Sequence, residues 1–476
     1  MADNTMVANN TAAQAGLQTG EQVKPFGMSD RIGYMLGDLG NDLFFGLVSG
    51  YLMLFYTDVL GIGAGAIGTL LIVARIWDAV NDPMIGTFID RRGGKISRLG
   101  GKFRPYLLYA ALPVTIMGFL SFTAFPGLAE GLRLPYAYVT YILFGMAYTF
   151  INIPYGSLAS VMTSDPVERT SLSTFRTVGA LVANIIIMAV VPALVFQNGV
   201  PTASGFMMAA GLFVILSNLC YFGAFKLTRE RIQHPHVDKP KAKLIDTIKT
   251  LGKNRPLVGL MIASFGMLAS MMAVSALTPY LYKDYFQAPE LITLGGVVGL
   301  LSSFIILPFI GKLVKKFGKK ELAAGTMVIA IVGNTALFLL PIQNPYIFMA
   351  INFIASIGLG FFNVLIWALV GDAIDYQEYI TGNREEGIVY ASYSLVRKLG
   401  QAVAGGIGGF ALTFIGYQAG QAVQTAEVAL GIKSVITSLP LISTLISFLA
   451  MVFIYNLSKD RLAKMTAELE ARRQVK

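Results

Sequence analysis

Apolar residues come in long blocks along the chain, separated by short polar stretches. A hydrocarbon core about 30 Å thick needs roughly 20 apolar helical residues to span it. Blocks of that length recur near 32–58, 66–89, 105–125, 134–160, 177–197 and 204–227, then near 257–282, 291–311, 322–341, 345–370, 391–416 and 434–456. The pattern predicts an all-α membrane protein with 12 transmembrane helices. The second, fourth and tenth blocks carry polar groups, yet each fills a gap too long and too apolar for a loop.

Basic residues test this count. One set of loops holds Arg91, Arg92, Lys95, Arg98, Lys102 and Arg104, then Arg229, Arg231, Lys239, Lys241, Lys243, Lys249, Lys253 and Arg255, then Lys312, Lys315, Lys316, Lys319 and Lys320. The alternating loops are almost free of Lys and Arg, apart from Arg133, Lys283 and Lys433. Positive charge collects on the cytoplasmic side of a membrane. The alternation therefore predicts a multi-pass protein of the cell membrane with both termini cytoplasmic, and requires an even number of spans.

Composition agrees. The 476 residues are 55% hydrophobic and only 13% charged, with 50 glycines, which suits helices packed closely in lipid rather than a solvated surface. The net charge of +10 follows from the loops and implies no nucleic acid. A single cysteine, Cys220, excludes an intrachain disulfide. Residues 1–27 are polar, without the apolar core of a cleavable signal peptide.

The longest internal polar stretch reads as a linker between two halves. Its two histidines, His234 and His236, suit a solvated connector better than a metal site. The expected division is a cytoplasmic tail at 1–29, a six-helix bundle at 30–228, a cytoplasmic linker at 229–255, a second bundle at 256–457 and a tail at 458–476. Each half has a Gly and a cationic turn after its second helix: Gly86-Thr-Phe-Ile-Asp90-Arg91-Arg92-Gly93-Gly94-Lys95 and Gly311-Lys312-Leu-Val-Lys315-Lys316-Phe-Gly318-Lys319-Lys320. In this the chain resembles the major facilitator superfamily. The resemblance implies two related bundles, with substrate bound between them near the midplane.

Ionisable groups deep in a bilayer cost roughly 2.5–3.5 kcal/mol each, so those present point to the site. The second helix reads Arg75-Ile-Trp77-Asp78-Ala-Val-Asn81-Asp82-Pro83. Asp78 and Asp82, four apart, share a face. Two carboxylates and an amide oxygen suit a hard cation such as Na⁺. Proton binding is equally open, because adjacent buried carboxylates repel each other's charge. Arg75 offers one of them a structural partner instead. On the first helix Asp38 and Asp42 share a face among glycines, fit to bond sugar hydroxyls, or, for Asp38, to meet a loop cation. Tyr148, Thr149, Asn152 and Tyr155 surround Pro154 on the fourth, where proline breaks the helical ladder. Arg176 opens the fifth helix. The loop between the tenth and eleventh helices carries Asp372, Asp375 and Arg384, expected to form gating pairs with the basic loops. Lys398 enters the eleventh helix and either pairs with Asp78 or Asp82 or snorkels outward. Trp367, Tyr148, Tyr155 and Tyr390 are candidates to stack on a sugar ring.

The second-helix run, Gly37-Asp38-Leu-Gly-Asn41-Asp42, Asn152-Ile-Pro154-Tyr155-Gly156-Ser157-Leu158, Asp375-Tyr376-Gln-Glu378-Tyr379 and Lys398-Leu-Gly400 together resemble the glycoside–pentoside–hexuronide cation symporters, from roughly residue 29 to 460. The resemblance implies a cation site of Asp78, Asn81, Asp82 and Thr149, and a sugar site with Asp42, Arg176 and Lys398. The family's melibiose branch has a lysine where Asn41 stands, an aspartate at Asn152 and a tryptophan at Gly156. These three positions, Asn41 among them, lie at the sugar site that the resemblance implies, so the sugar specificity of that branch does not transfer, and the motif is more similar to the xyloside and glucuronide branches.

The expected function is uptake of a glycoside, pentoside or hexuronide coupled to Na⁺ or H⁺ by alternating access. The protein would work as a monomer in the lipid bilayer, with no cofactor beyond the co-transported ion. A lipid or amphiphile transporter on the same fold is the alternative. No HExxH or GxSxG run occurs and both histidines lie in the linker, which leaves no catalytic set for an enzyme.

Overall fold

The computed structural model describes residues 25–92, 101–163, 165–232, 252–382 and 386–475. The apolar blocks form α1 (Met28–Leu54), α2 (Ala64–Arg92), α3 (Ala111–Ser121, led in by a turn at Tyr106–Tyr109), α4 (Glu130–Met162), α5 (Pro166–Val195) and α6 (Ala203–Leu227). Then come α7 (Arg255–Tyr280), α8 (Ile292–Phe317), α9 (Lys319–Leu339), α10 (Pro345–Thr381), α11 (Glu386–Phe414), α12 (Ala426–Leu449) and a polar terminal helix, α13 (Lys459–Val475). Nine helices among the described residues are individually long and apolar enough to cross a membrane; α3, α8 and α11 complete the twelve.

Local chemistry sets the ends. The side chains of Thr202, Asn254, Asn344 and Thr425 each accept a backbone N–H from the first turn of the helix that follows, satisfying donors that a helix start leaves open. Gly382 closes α10 at φ +75°, a conformation glycine adopts without strain.

Several helices outrun their apolar blocks. α4 begins at Glu130, α5 at Pro166 and α12 at Ala426, while α10 continues to Thr381. Hydropathy marks contact with lipid, whereas backbone hydrogen bonding carries a helix on into polar sequence. Two expectations are corrected. Arg176 lies well inside α5 rather than at its start, and Asp372 and Asp375 are in the last turns of α10 rather than in a loop. α4 also runs unbroken through Pro135 and Pro154.

The chain clusters into two units. The first holds residues 1–55, 73–197 and 201–238; the second holds 56–72, 198–200 and 239–476. In the first unit α1 packs on α5 and α6, and α3 packs on α4 and α6. In the second α7 packs on α11 and α12, and α9 packs on α10 and α12. The same pairings thus recur with helix numbers offset by six. Glycine permits the equivalent closest approaches: a Cβ on Gly179 of α5 would stand 2.5 Å from the Met35 carbonyl of α1, and one on Gly400 of α11 would stand 2.9 Å from the Phe265 carbonyl of α7. Small residues at such crossings replace the hydrophobic drive that lipid removes.

The described start of the linker is held. The Glu230 carboxylate accepts the backbone N–H groups of Lys102, Phe103 and Arg104 at 2.7–2.8 Å, and Arg231 pairs with buried Asp30 at 2.8 Å. Residues 233–251 of the linker, with His234 and His236, and residues 93–100 of the first cationic turn lie outside the described residues.

Candidate functional site

One turn of α2 separates Asp78 from Asp82, so both carboxylates meet α4. Thr149 Oγ donates either to Asp82 Oδ1 at 2.9 Å or to its own helix at the Gly145 carbonyl, 3.0 Å away. One turn back, Gly145 faces Asp78, and a Cβ there would stand 2.9 Å from Asp78 Oδ1. The absent side chain at 145 and the hydroxyl at 149 therefore shape a place for two acids. Arg75 Nη1 reaches Asp78 Oδ2 at 3.3 Å. Asn81, between the acids in sequence, is 4% exposed, and its Nδ2 has no hydrogen-bond partner among the described residues. The four residues expected to hold the cation thus lie on two touching helices.

A second polar group sits on α1 and α5. Arg176 Nε donates to Asp38 Oδ1 at 2.8 Å, with the guanidinium 5.5 Å over the Tyr155 ring. The Tyr155 hydroxyl donates to the Tyr34 carbonyl at 2.7 Å, and the two rings stack with centroids 4.7 Å apart. Gly37 makes room for this ring: a Cβ there would stand 2.4 Å from it. The structure thus puts Arg176 on Asp38. Asp42, one turn further along α1, is half-buried, with no hydrogen bond or ion pair among the described residues. Asn152 is likewise half-buried and its amide is without a hydrogen bond among them. Tyr148 stacks on Phe45 at 6.0 Å.

Two sugar-site candidates have their polar atoms turned into the protein. Tyr155 is fully buried, and its hydroxyl is spent on α1. Asn41 is 1% exposed, and its Oδ1 accepts from Tyr221 of α6 at 3.0 Å. In this conformation the Tyr155 ring underlies Arg176 and Asn41 ties α1 to α6, and neither hydrogen-bonding group faces a ligand. Side-chain character alone does not distinguish those tasks.

In the second unit Trp367 of α10 is 47% exposed and meets Tyr393 of α11 edge-on, with centroids 5.5 Å apart. The Arg397 guanidinium lies 5.2 Å from the Trp367 centroid and 5.9 Å from that of Tyr393. Lys398, the next residue, is exposed, and Asp375 is half-buried. Asp372 receives Lys319 Nζ at 2.6 Å. That lysine follows Gly318, whose φ of +97° makes the turn between α8 and α9. Arg384 and the Tyr390 side chain lie outside the described residues.

Comparison with known proteins now decides the class. The model of a family described as MFS/sugar transport protein matches residues 33–459. The chain belongs to the MFS/sugar transport family. It is a multi-pass membrane transporter, not an enzyme, and the resemblance to glycoside–pentoside–hexuronide symporters holds. Curated relatives include the glucuronide carrier protein homolog of Escherichia coli, 33% identical over 93% of this chain and 96% of that protein. The isoprimeverose transporter of Lactiplantibacillus pentosus is 34% identical, covering 93% and 91%. A putative sulfoquinovose importer of E. coli is 31% identical, covering 94% of each. A solved D-xylose–proton symporter shares the major facilitator fold at TM-score 0.59 and 15% identity, over 88% of this chain and 96% of that one.

One cluster in this transporter escaped the sequence reading. α1 continues as a π-helical turn, Phe55–Val59, and α7 as another, Leu281–Tyr285. Lys283 of the second donates to Asp58 Oδ2 at 2.5 Å and lies 3.0 Å from Asp284. Tyr417, just after α11, donates to Asp58 at 2.7 Å. Thr57 donates to Asp58 at 2.8 Å and shares a hydrogen bond with Tyr280. All these residues belong to the second unit. A signal was present: Tyr56-Thr57-Asp58 and Tyr282-Lys283-Asp284 are copies of one Tyr-x-Asp motif at equivalent helix ends.

Proposed function

We propose that the protein carries a sugar or sugar derivative across the cell membrane by alternating access, in symport with a monovalent cation, Na⁺ or H⁺. The observation that carries this reading is the α2–α4 group. Asp78 and Asp82 lie one turn apart, Thr149 bonds the second acid, and a buried Asn81 amide lies beside them. Oxygen-rich groups of this kind bind a hard cation or a proton. Arg75 pairs with Asp78, so a cation binding there competes with the guanidinium. Asp42 and Asn152, neither of them hydrogen-bonded among the described residues, and Arg176 supply hydrogen-bonding groups for hydroxyls. The relatives support a sugar-type passenger. They include carriers named for acid-bearing sugars and one named for a neutral disaccharide. The basic loops and both termini face the cytoplasm.

Coupling then means that ion and sugar each raise the other's affinity, typically by 1–3 kcal/mol. The test uses purified protein in liposomes with imposed Na⁺ or pH gradients and labelled glycosides. Asp82→Cys is expected to abolish gradient-driven accumulation while leaving sugar exchange down its own gradient. Accumulation that stays fully gradient-responsive in this variant refutes the assignment.

A further inference from the structure

Among the described residues, several cations in or beside the spans meet acids: Arg75 meets Asp78, Arg176 meets Asp38, Lys283 meets Asp58 and Lys319 meets Asp372. Lys433, without an acid, caps a chain end by donating to the carbonyls of Phe338 and Leu340. Arg397 does neither. Among the described residues it meets no carboxylate. Its one hydrogen-bond contact is the Tyr393 hydroxyl, 3.5 Å from Nη1, at the limit of such a bond. A guanidinium has five N–H donors in a rigid fork, so among the described residues nearly the whole fork is without a partner.

Its place on α11 excludes a lipid-facing role. Val389, Tyr393, Gly400 and Ala404 form the buried stripe of this helix. Tyr393 shares a hydrogen bond with Ser264 of α7, and Gly400 abuts Phe265 of the same helix. Arg397, one turn after Tyr393 and one turn before Gly400, continues that stripe toward the protein interior. The Trp367 and Tyr393 rings hold the guanidinium by cation–π attraction. Such attraction steadies the cation and leaves its fork unused, while Trp367 keeps nearly half its surface exposed.

We propose that Arg397 is an anion-recognition residue: its fork receives the acid group, carboxylate or sulfonate, of an acid-bearing sugar whose ring lies against Trp367. Forked N–H donors match two oxygens of one oxyanion. This rests on the sugar-transport reading and narrows it to the uronide or sulfonated class.

The test uses full-length protein in detergent and in liposomes, with binding read from tryptophan emission. Trp77→Phe serves as background, so that Trp367 is the sole reporter. The probes are methyl β-glucuronide, sulfoquinovose and the neutral methyl β-glucoside. The unaltered residue is expected to give at least tenfold preference for one of the acids, and which acid is preferred separates carboxylate from sulfonate. Arg397→Gln should lose about 10–100-fold in affinity for that acid and leave the glucoside unchanged. Arg397→Lys, which keeps the charge without the fork, should fall between. Equal or better binding of the glucoside, absence of binding by both acids, or an equal loss for acid and neutral probe in Arg397→Gln overturns the proposal. The first comparison needs no variant, so a misfolded Arg397→Gln leaves the test intact. Gradient-driven uptake of neutral glycosides alone would sink this proposal and spare the transport reading; no uptake of any sugar would sink the latter.

Discussion

Replacing Lys283 by Met is expected to be among the most damaging single changes outside the transport site. The side chains of Lys283, Asp58 and Asp284 are 3%, 4% and 1% exposed. One cation thus serves two buried acids, and its removal leaves both carboxylates without a counter-charge. Breaking a buried pair from one side costs about 3–5 kcal/mol, which lowers an apparent Tm by several degrees. Thr57 and Tyr417 still donate to Asp58 in the variant, which places the expected loss toward the lower end. The assay is loss of helical circular dichroism on heating, and on titration with SDS, for protein in mild detergent. Asp58→Asn combined with Lys283→Met removes one acid along with the base. The double variant should be more stable than Lys283→Met alone, with a coupling energy above about 1 kcal/mol in the double-mutant cycle. Strict additivity, or a loss below about 1 kcal/mol for Lys283→Met, refutes the reasoning.

Thr149→Val keeps the shape of the side chain and removes the donor to Asp82. It should raise the half-saturating cation concentration for uptake about tenfold, in line with one hydrogen bond to a charged group, and an unchanged cation dependence argues against Thr149 as part of the cation site. Glu230→Gln weakens the acceptor for three backbone N–H groups at 102–104. It is expected to lower stability by about 1.5–3 kcal/mol, read as thermal unfolding, while the KM for sugar stays as it was; a shifted KM with unaltered stability contradicts that account.

The membrane fold was legible because lipid enforces one rule along the whole chain: a span must be apolar, long and helical. Helix ends were less legible. Charged residues such as Glu130 and Glu168 lie within the helices α4 and α5, where hydropathy shows only an end to lipid contact. The acids of α2 stood out since few forces put two carboxylates a turn apart in an apolar block. Gly145 did not stand out, because its contribution is a missing Cβ opposite Asp78. Arg397 was overshadowed by Lys398 beside it. Adjacent positions on a helix point about 100° apart, and only the packing of Tyr393 and Gly400 reveals which of the two lies on the buried stripe. The Asp58–Lys283 cluster joins residues more than two hundred positions apart, and the repeated Tyr-x-Asp motif marks the two turns without showing that they pair.

That separation has a consequence for biogenesis. The packing of α1 on α5 and α6, and of α3 on α4 and α6, involves only residues made in the first half of translation. Asp58 leaves the ribosome with its turn, but Lys283 follows more than two hundred residues later, and Tyr417 later still. At about 5–20 residues per second the acid waits on the order of 10–45 s for its base. Segment 56–72 is therefore the last part of the early chain to find its native neighbours, and an interruption of synthesis before α7 leaves Asp58 without its counter-charge.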